Sequence, residues 1–234
     1  IAHFAKTHRV VAMDPRGQGE SEKPREGYYP AQRARDIRAV IEQLKLDPVV
    51  LVGWSMGVAE VAAYVEQFGT DRLAAVVLVD GLAGGYDAQF TAAIVNFAGQ
   101  HLKDRAKTTD AFVRSMYRKP QDEAYLKRVM AAALQTPTDA AMALIVGTFS
   151  SDDTAALAKI DRPTLVVAAG DDKSNPWVAK YRALAQSIPG ARFELFPDCG
   201  HALFADDPAR FNSQLEDLLA TRAQASESSM PHSP

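Results

Sequence analysis

A single cysteine, Cys199, leaves no room for an internal disulfide framework and gives no sign of a structural zinc site. No apolar run approaches the roughly 20 residues that a membrane-crossing helix needs. Neither sign of charge dominates: 26 Lys and Arg face 29 Asp and Glu, a net charge of −3. That balance offers no basic surface for nucleic acid or for an anionic membrane. A cytoplasmic location is the expectation; no secretory leader is visible, but that absence carries little weight, because the natural N-terminus is expected to lie upstream of Ile1 and a removed or missing signal stays open. Gly81, Gly84 and Gly85 cluster after an apolar run, but they lack the spacing and the lysine of a phosphate-binding loop. They read as a hinge. Internal repeats are absent. What remains is 234 residues, 47% hydrophobic and 24% charged, a balance that suits one globular domain with an insertion.

Uniformly apolar runs stand at Val10–Ala12, Val49–Val52, Val76–Val79 and Leu165–Ala169. They lack strict alternation, which is the mark of strands buried on both faces in a parallel sheet. A fifth strand is expected over Arg192–Phe196, and the first of the set over Arg9–Met13. Helical patterns lie between them. Ala31–Leu46 carries Ile37, Val40, Ile41 and Leu44 on one face, with Pro30 as opener. Alternating strands and helices predict an α/β fold, doubly wound, with a mostly parallel sheet and helices on both faces.

Between Gly81 and Ile160 the rhythm changes. Helical stretches at about 88–102, 109–117, 122–134 and 139–149 follow one another with no strand-like run. This is too long for a simple crossover and reads as a helical cap inserted before the penultimate strand. The expected organisation is a core from 1–81 and 160–222, a cap over 82–159 and a disordered tail over 223–234.

The chemistry centres on Gly53-Trp54-Ser55-Met56-Gly57, between a strand and a helix. Such a sharp turn exposes a serine hydroxyl at the carboxyl end of a sheet, and glycine two residues to either side is expected to relieve collisions. The plain alternative makes Ser55 a helix N-cap. A serine needs a base, and His201 is the histidine on a loop leaving a late strand. The base in turn needs an acid. Gly170-Asp171-Asp172 ends the Leu165–Ala169 strand, and Asp172 is preferred for its place before Pro176. Asp171 is the runner-up. Asp80, closing Val76–Val79, is a third candidate with a structural role as the simpler reading. Cys199, beside His201, reads as a packing residue.

These segments together resemble the α/β-hydrolase family, in its cap-bearing branch. The likeness rests on Asp14-Pro15-Arg16-Gly17-Gln18-Gly19-Glu20-Ser21, the Ser55 pentapeptide, Asp80-Gly81, Gly170-Asp171-Asp172 and Gly200-His201 through Asp207-Pro208. The resemblance implies a cofactor-free, metal-free serine hydrolase with Ser55, Asp172 and His201 as triad. Its substrate would be an ester or related acyl bond of a small, fairly apolar molecule. It also implies that Asp14 and Arg16 brace their loop as a pair. Two departures stand out. The family's acid follows a glycine by three residues, and here Gly170 is displaced by one. The strand that carries a His-Gly oxyanion loop in the family is not in this sequence. The expectation is therefore an N-terminally incomplete copy with the Met56 N–H as the remaining oxyanion donor. Other chemistries of the family stay open: haloperoxidase, carbon–carbon hydrolase and hydroxynitrile lyase. So does a small-molecule receptor that keeps the triad without turnover. Neither nucleic acid nor membrane is an expected partner, and homo-oligomer formation stays open.

Overall fold

A computed structural model describes residues 1–171 and 175–228. Among them, four strands form one parallel sheet: β1 (Val49–Trp54), β2 (Leu73–Val79), β3 (Thr164–Ala169) and β4 (Arg192–Phe196), in spatial order of the chain. β2 and β3 are buried along their whole length. Their side chains alternate between two cores. Val76 and Leu78 face a cluster with helices α1 (Pro30–Gln43), α2 (Gly57–Phe68) and α8 (Val178–Ser187). Ala75, Val77 and Val79 face Leu203 and Leu218, the latter on the last helix, α10 (Pro208–Ser228). Two apolar faces explain why these strands read as unbroken apolar runs.

One expectation fails at the front of the sheet. Arg9–Met13 is not a strand, and Val10 and Val11 are 38% and 42% exposed. A strand exists only through a ladder with a neighbour, and no described residue pairs with this segment. β1 consequently forms an edge, with Val52 48% exposed. At the other end, α10 continues to Ser228, past the expected start of the tail. Ala223, Gln224 and Ala225 are good helix formers and let it run on.

Between β2 and β3 lie α3 (Ala88–Lys103), α4 (Arg105–Ser115), α5 (Glu123–Leu134), α6 (Thr138–Phe149) and the short α7 (Thr154–Leu157). Asp87, Asp104 and Asp122 cap the first three, each accepting a hydrogen bond from the N–H three residues on. α3 packs on α4 and α6, and α4 on α5. No single helix among the described residues is long and apolar enough to cross a membrane.

Candidate active site

Ser55 follows β1 directly and has φ +57°. A non-glycine residue in this left-handed region is uncommon and must be held there by its surroundings. The Ser55 N–H donates to the Val79 carbonyl at 2.9 Å, and the Ser55 carbonyl accepts from the Val58 N–H at 3.1 Å. The turn is thus tied to the end of β2 and the first turn of α2. A Cβ on Gly53 would lie 2.5 Å from the Gly57 carbonyl oxygen, and one on Gly81 would lie 2.2 Å from that of Ser55. A Cβ on Gly57 would meet nothing within 4 Å. Close approach therefore requires glycine at 53 and at 81, and the expectation of a clash at 57 is corrected. Met56 occupies the N-cap position of α2, where the first N–H groups of a helix have no intrahelical acceptor.

His201 stands on the loop after β4. Its Nδ1 lies 2.6 Å from Asp80 Oδ2, which fixes the ring nitrogen facing the carboxylate. The other oxygen, Asp80 Oδ1, accepts from the Ala169 N–H at 2.9 Å at the end of β3. The Asp80 N–H donates to the Val167 carbonyl at 2.8 Å, and its φ is +45°. Asp80 is pinned at both ends, with a side chain 5% exposed against 26% for His201. The indole of Trp54 donates to the His201 carbonyl at 2.9 Å, and its ring lies against the imidazole at 5.1 Å between centroids. The residue before Ser55 thus carries the His201 loop.

Ser55, Asp80 and His201 line one cavity of about 580 Å³. No hydrogen bond joins the hydroxyl to the imidazole, and unliganded catalytic pairs are often this loose. A wider groove of about 1620 Å³ runs from the same wall along the free edge of β1. Aromatic rings from separate elements close in on the serine. Phe90 of α3 contacts Phe149 of α6 at 5.4 Å and Trp177 at 5.0 Å, in edge-to-face geometry. Tyr86 stacks on Phe90 at 4.8 Å, and burial raises its phenol pKa. Among the described residues no group of three or more His, Cys, Asp or Glu is placed to hold a metal ion.

A strand, a strained serine turn and a histidine held by a carboxylate at neighbouring strand ends form one known constellation. The model of the family described as the alpha/beta hydrolase fold matches residues 1–208. The chain belongs to that family. It is 30% identical over 230 residues to "Non-heme chloroperoxidase CPO-A1" of Kitasatospora aureofaciens, covering 91% of this chain and 82% of that one. Among solved structures, a bromoperoxidase from Bacillus anthracis superposes with a TM-score of 0.80 at 26% identity, covering 88% of this chain and 79% of the other. A putative aryl esterase from Burkholderia cenocepacia gives 0.73 at 28% identity, covering 90% and 79%.

Within this hydrolase, Asp172, expected as the acid, lies outside the described residues. The carboxylate found on His201 is Asp80, ranked behind it in the sequence because a strand-end aspartate reads as structural. Asp14 and Arg16 brace the same region without pairing with each other. Asp14 accepts from the Glu20 N–H at 3.0 Å, while Arg16 pairs with Asp36 of α1. Cys199 is buried in the second core, and burial pushes its thiol pKa up, away from a reactive thiolate. Sequence reasoning missed Trp54 and Asp206 as supports of the His201 loop. The only signal for Trp54 was its place inside the serine pentapeptide.

Proposed function

We propose that the protein is a cofactor-free serine hydrolase for esters of small, apolar and preferably aromatic molecules, with Ser55, His201 and Asp80 as triad. The helices between β2 and β3 serve as a cap over the cavity. His201 takes the Ser55 proton as the hydroxyl attacks the acyl carbon. The Met56 N–H stabilises the oxyanion, and the protonated His201 gives its proton to the departing alcohol. A water, deprotonated by His201, then attacks the acyl carbon. The acid leaves and the proton returns to Ser55. Asp80 holds the imidazole tautomer and balances its charge. The carrying observation is the 2.6 Å contact between His201 Nδ1 and Asp80 Oδ2 in the cavity that Ser55 lines. The rings of Phe90, Phe149 and Trp177 around that cavity support an aromatic or bulky apolar substrate.

The test is hydrolysis of p-nitrophenyl acetate and benzoate. Ser55→Ala should abolish turnover without unfolding, and undiminished turnover would remove Ser55 as nucleophile. A second reading, peroxide-dependent halogenation, is favoured by the 30% identity to the chloroperoxidase. Chlorination by hydrogen peroxide and chloride, measured beside the ester assay, separates the two.

A further inference from the structure

Asp206 is a carboxylate buried to 5% exposure, and no cation pairs with it among the described residues. It lies five positions after His201, at the end of the short helix α9 (Leu203–Asp206). Four donors satisfy it. Oδ2 accepts from the Gly200 N–H and from the Arg118 N–H, both at 2.8 Å. Oδ1 accepts from the Lys119 N–H at 3.2 Å and from Gln121 Nε2 at 3.3 Å. One donor belongs to the residue before His201. The other three belong to the linker between α4 and α5.

The same two segments meet again on the other side of His201. The Ala202 N–H donates to the Met116 carbonyl at 2.8 Å. A Cβ on Gly200 would lie 2.6 Å from that carbonyl oxygen, so the two backbones are already in contact. Ala202 also packs into an apolar cluster with Val113, Met116 and Leu126 of the inserted helices. The residues flanking His201 on both sides are therefore fastened to the insertion. The linker itself carries Tyr117, whose ring lines the cavity with Ser55 and His201.

We infer that Asp206 is a positioning residue that fastens the His201 loop to the α4–α5 linker, so that the seat of the inserted helices sets where the imidazole stands. The inference rests on the reading of His201 as the general base. Asp206 touches neither the serine nor the cavity. It acts through the Gly200 N–H, one peptide from the base. A carboxylate is suited to this because it only accepts, and all four of its partners only donate. Asparagine at 206 would turn an NH2 group toward N–H donors and lose at least two of these bonds.

The test uses the full chain and two readouts. The first is the far-downfield proton NMR signal of a histidine Nδ1–H bonded to a carboxylate, assigned to His201 by its loss in Asp80→Asn. The second is turnover of a series of esters with activated and unactivated alcohols. For Asp206→Asn the signal should broaden or shift. kcat should fall about 10- to 100-fold, the scale of a small misplacement of a catalytic group. Esters of poor leaving groups should lose most, because they depend on proton delivery by His201. Should Asp206→Asn fail to fold, Gln121→Ala, which removes only the side-chain donor, should give a smaller loss in the same directions. A signal and a leaving-group dependence identical to the wild type, whatever the change in Tm, would overturn the inference. A signal that responds to Asp206→Asn in a protein that hydrolyses no ester would support the positioning role and sink the esterase reading instead.

Discussion

Asp80 and His201 are 121 positions apart in the chain and 2.6 Å apart in space. Three strand ends make that possible. Asp80 closes β2, its free oxygen is held by the first N–H past Ala168 in β3, and His201 follows β4. The carboxylate therefore has one orientation, and the imidazole meets it.

Asp80→Asn should lower turnover by about 10⁴-fold, since an amide neither balances the imidazolium nor selects its tautomer. Asp171→Asn and Asp172→Asn should cost far less. Steady-state kinetics of the three variants on one p-nitrophenyl ester decides it. A larger loss at 172 would restore the assignment expected from the sequence.

The two glycines of the serine turn should behave differently. Gly53→Ala puts a methyl 2.5 Å from a backbone oxygen and should displace the turn, with loss of activity and stability. Gly57→Ala meets open space at the start of α2 and should keep activity, with a gain of up to about 1 kcal/mol from the less flexible unfolded chain. Urea unfolding and turnover measured on both variants test the contrast.

Arg33 and Glu60 form a buried ion pair at 2.8 Å, with side chains 3% and 7% exposed. Burial pushes the Glu60 carboxyl pKa up and the Arg33 guanidinium pKa down, and each ion offsets part of the other's penalty. Arg33 Nε and Nη1 are buried without partners. Arg33→Met should destabilise by about 3–5 kcal/mol, while Arg33→Met with Glu60→Leu should be near neutral. The pH dependence follows in sign. A carboxyl whose folded pKa is raised makes the native state lose stability as pH climbs from the ordinary carboxylate value through the raised one. Thermal melts from about pH 4 to pH 8 should show a steeper decline in the single variant than in the double. Parallel curves would contradict this account.

Among the described residues β1 pairs on one side only, and Val52 on it is 48% exposed. Unpaired edges invite strand addition. Val52→Lys should reduce light scattering in concentrated solution and leave ester turnover unchanged. Equal scattering would mean that this edge does not drive association.

The serine turn could be read from the chain because its causes are local. A strand, a glycine two residues before Ser55 and a helix-forming run after it lie within twenty residues. The fully buried strands β2 and β3 were equally plain, since a strand covered on both faces must be apolar throughout. Which carboxylate meets His201 was not readable. Asp80 closes β2 and Asp171 follows the end of the adjacent parallel strand β3, with Asp172 next to it in the chain, so sequence position alone does not choose among the three. What selected Asp80 is the rotation of its backbone to φ +45° and the Ala169 N–H that pins one oxygen. Both depend on the neighbouring strand and not on the residues beside Asp80 in the chain. The same reason explains Val10–Ala12, whose composition suits a strand but whose ladder needs a partner. It also explains Asp206, the first of two adjacent acids in the sequence, whose four donors come from a segment more than eighty positions away and from the histidine loop itself. Local pattern decides which conformation a segment favours. Which polar atoms meet is decided only when distant segments pack and their buried groups must find partners.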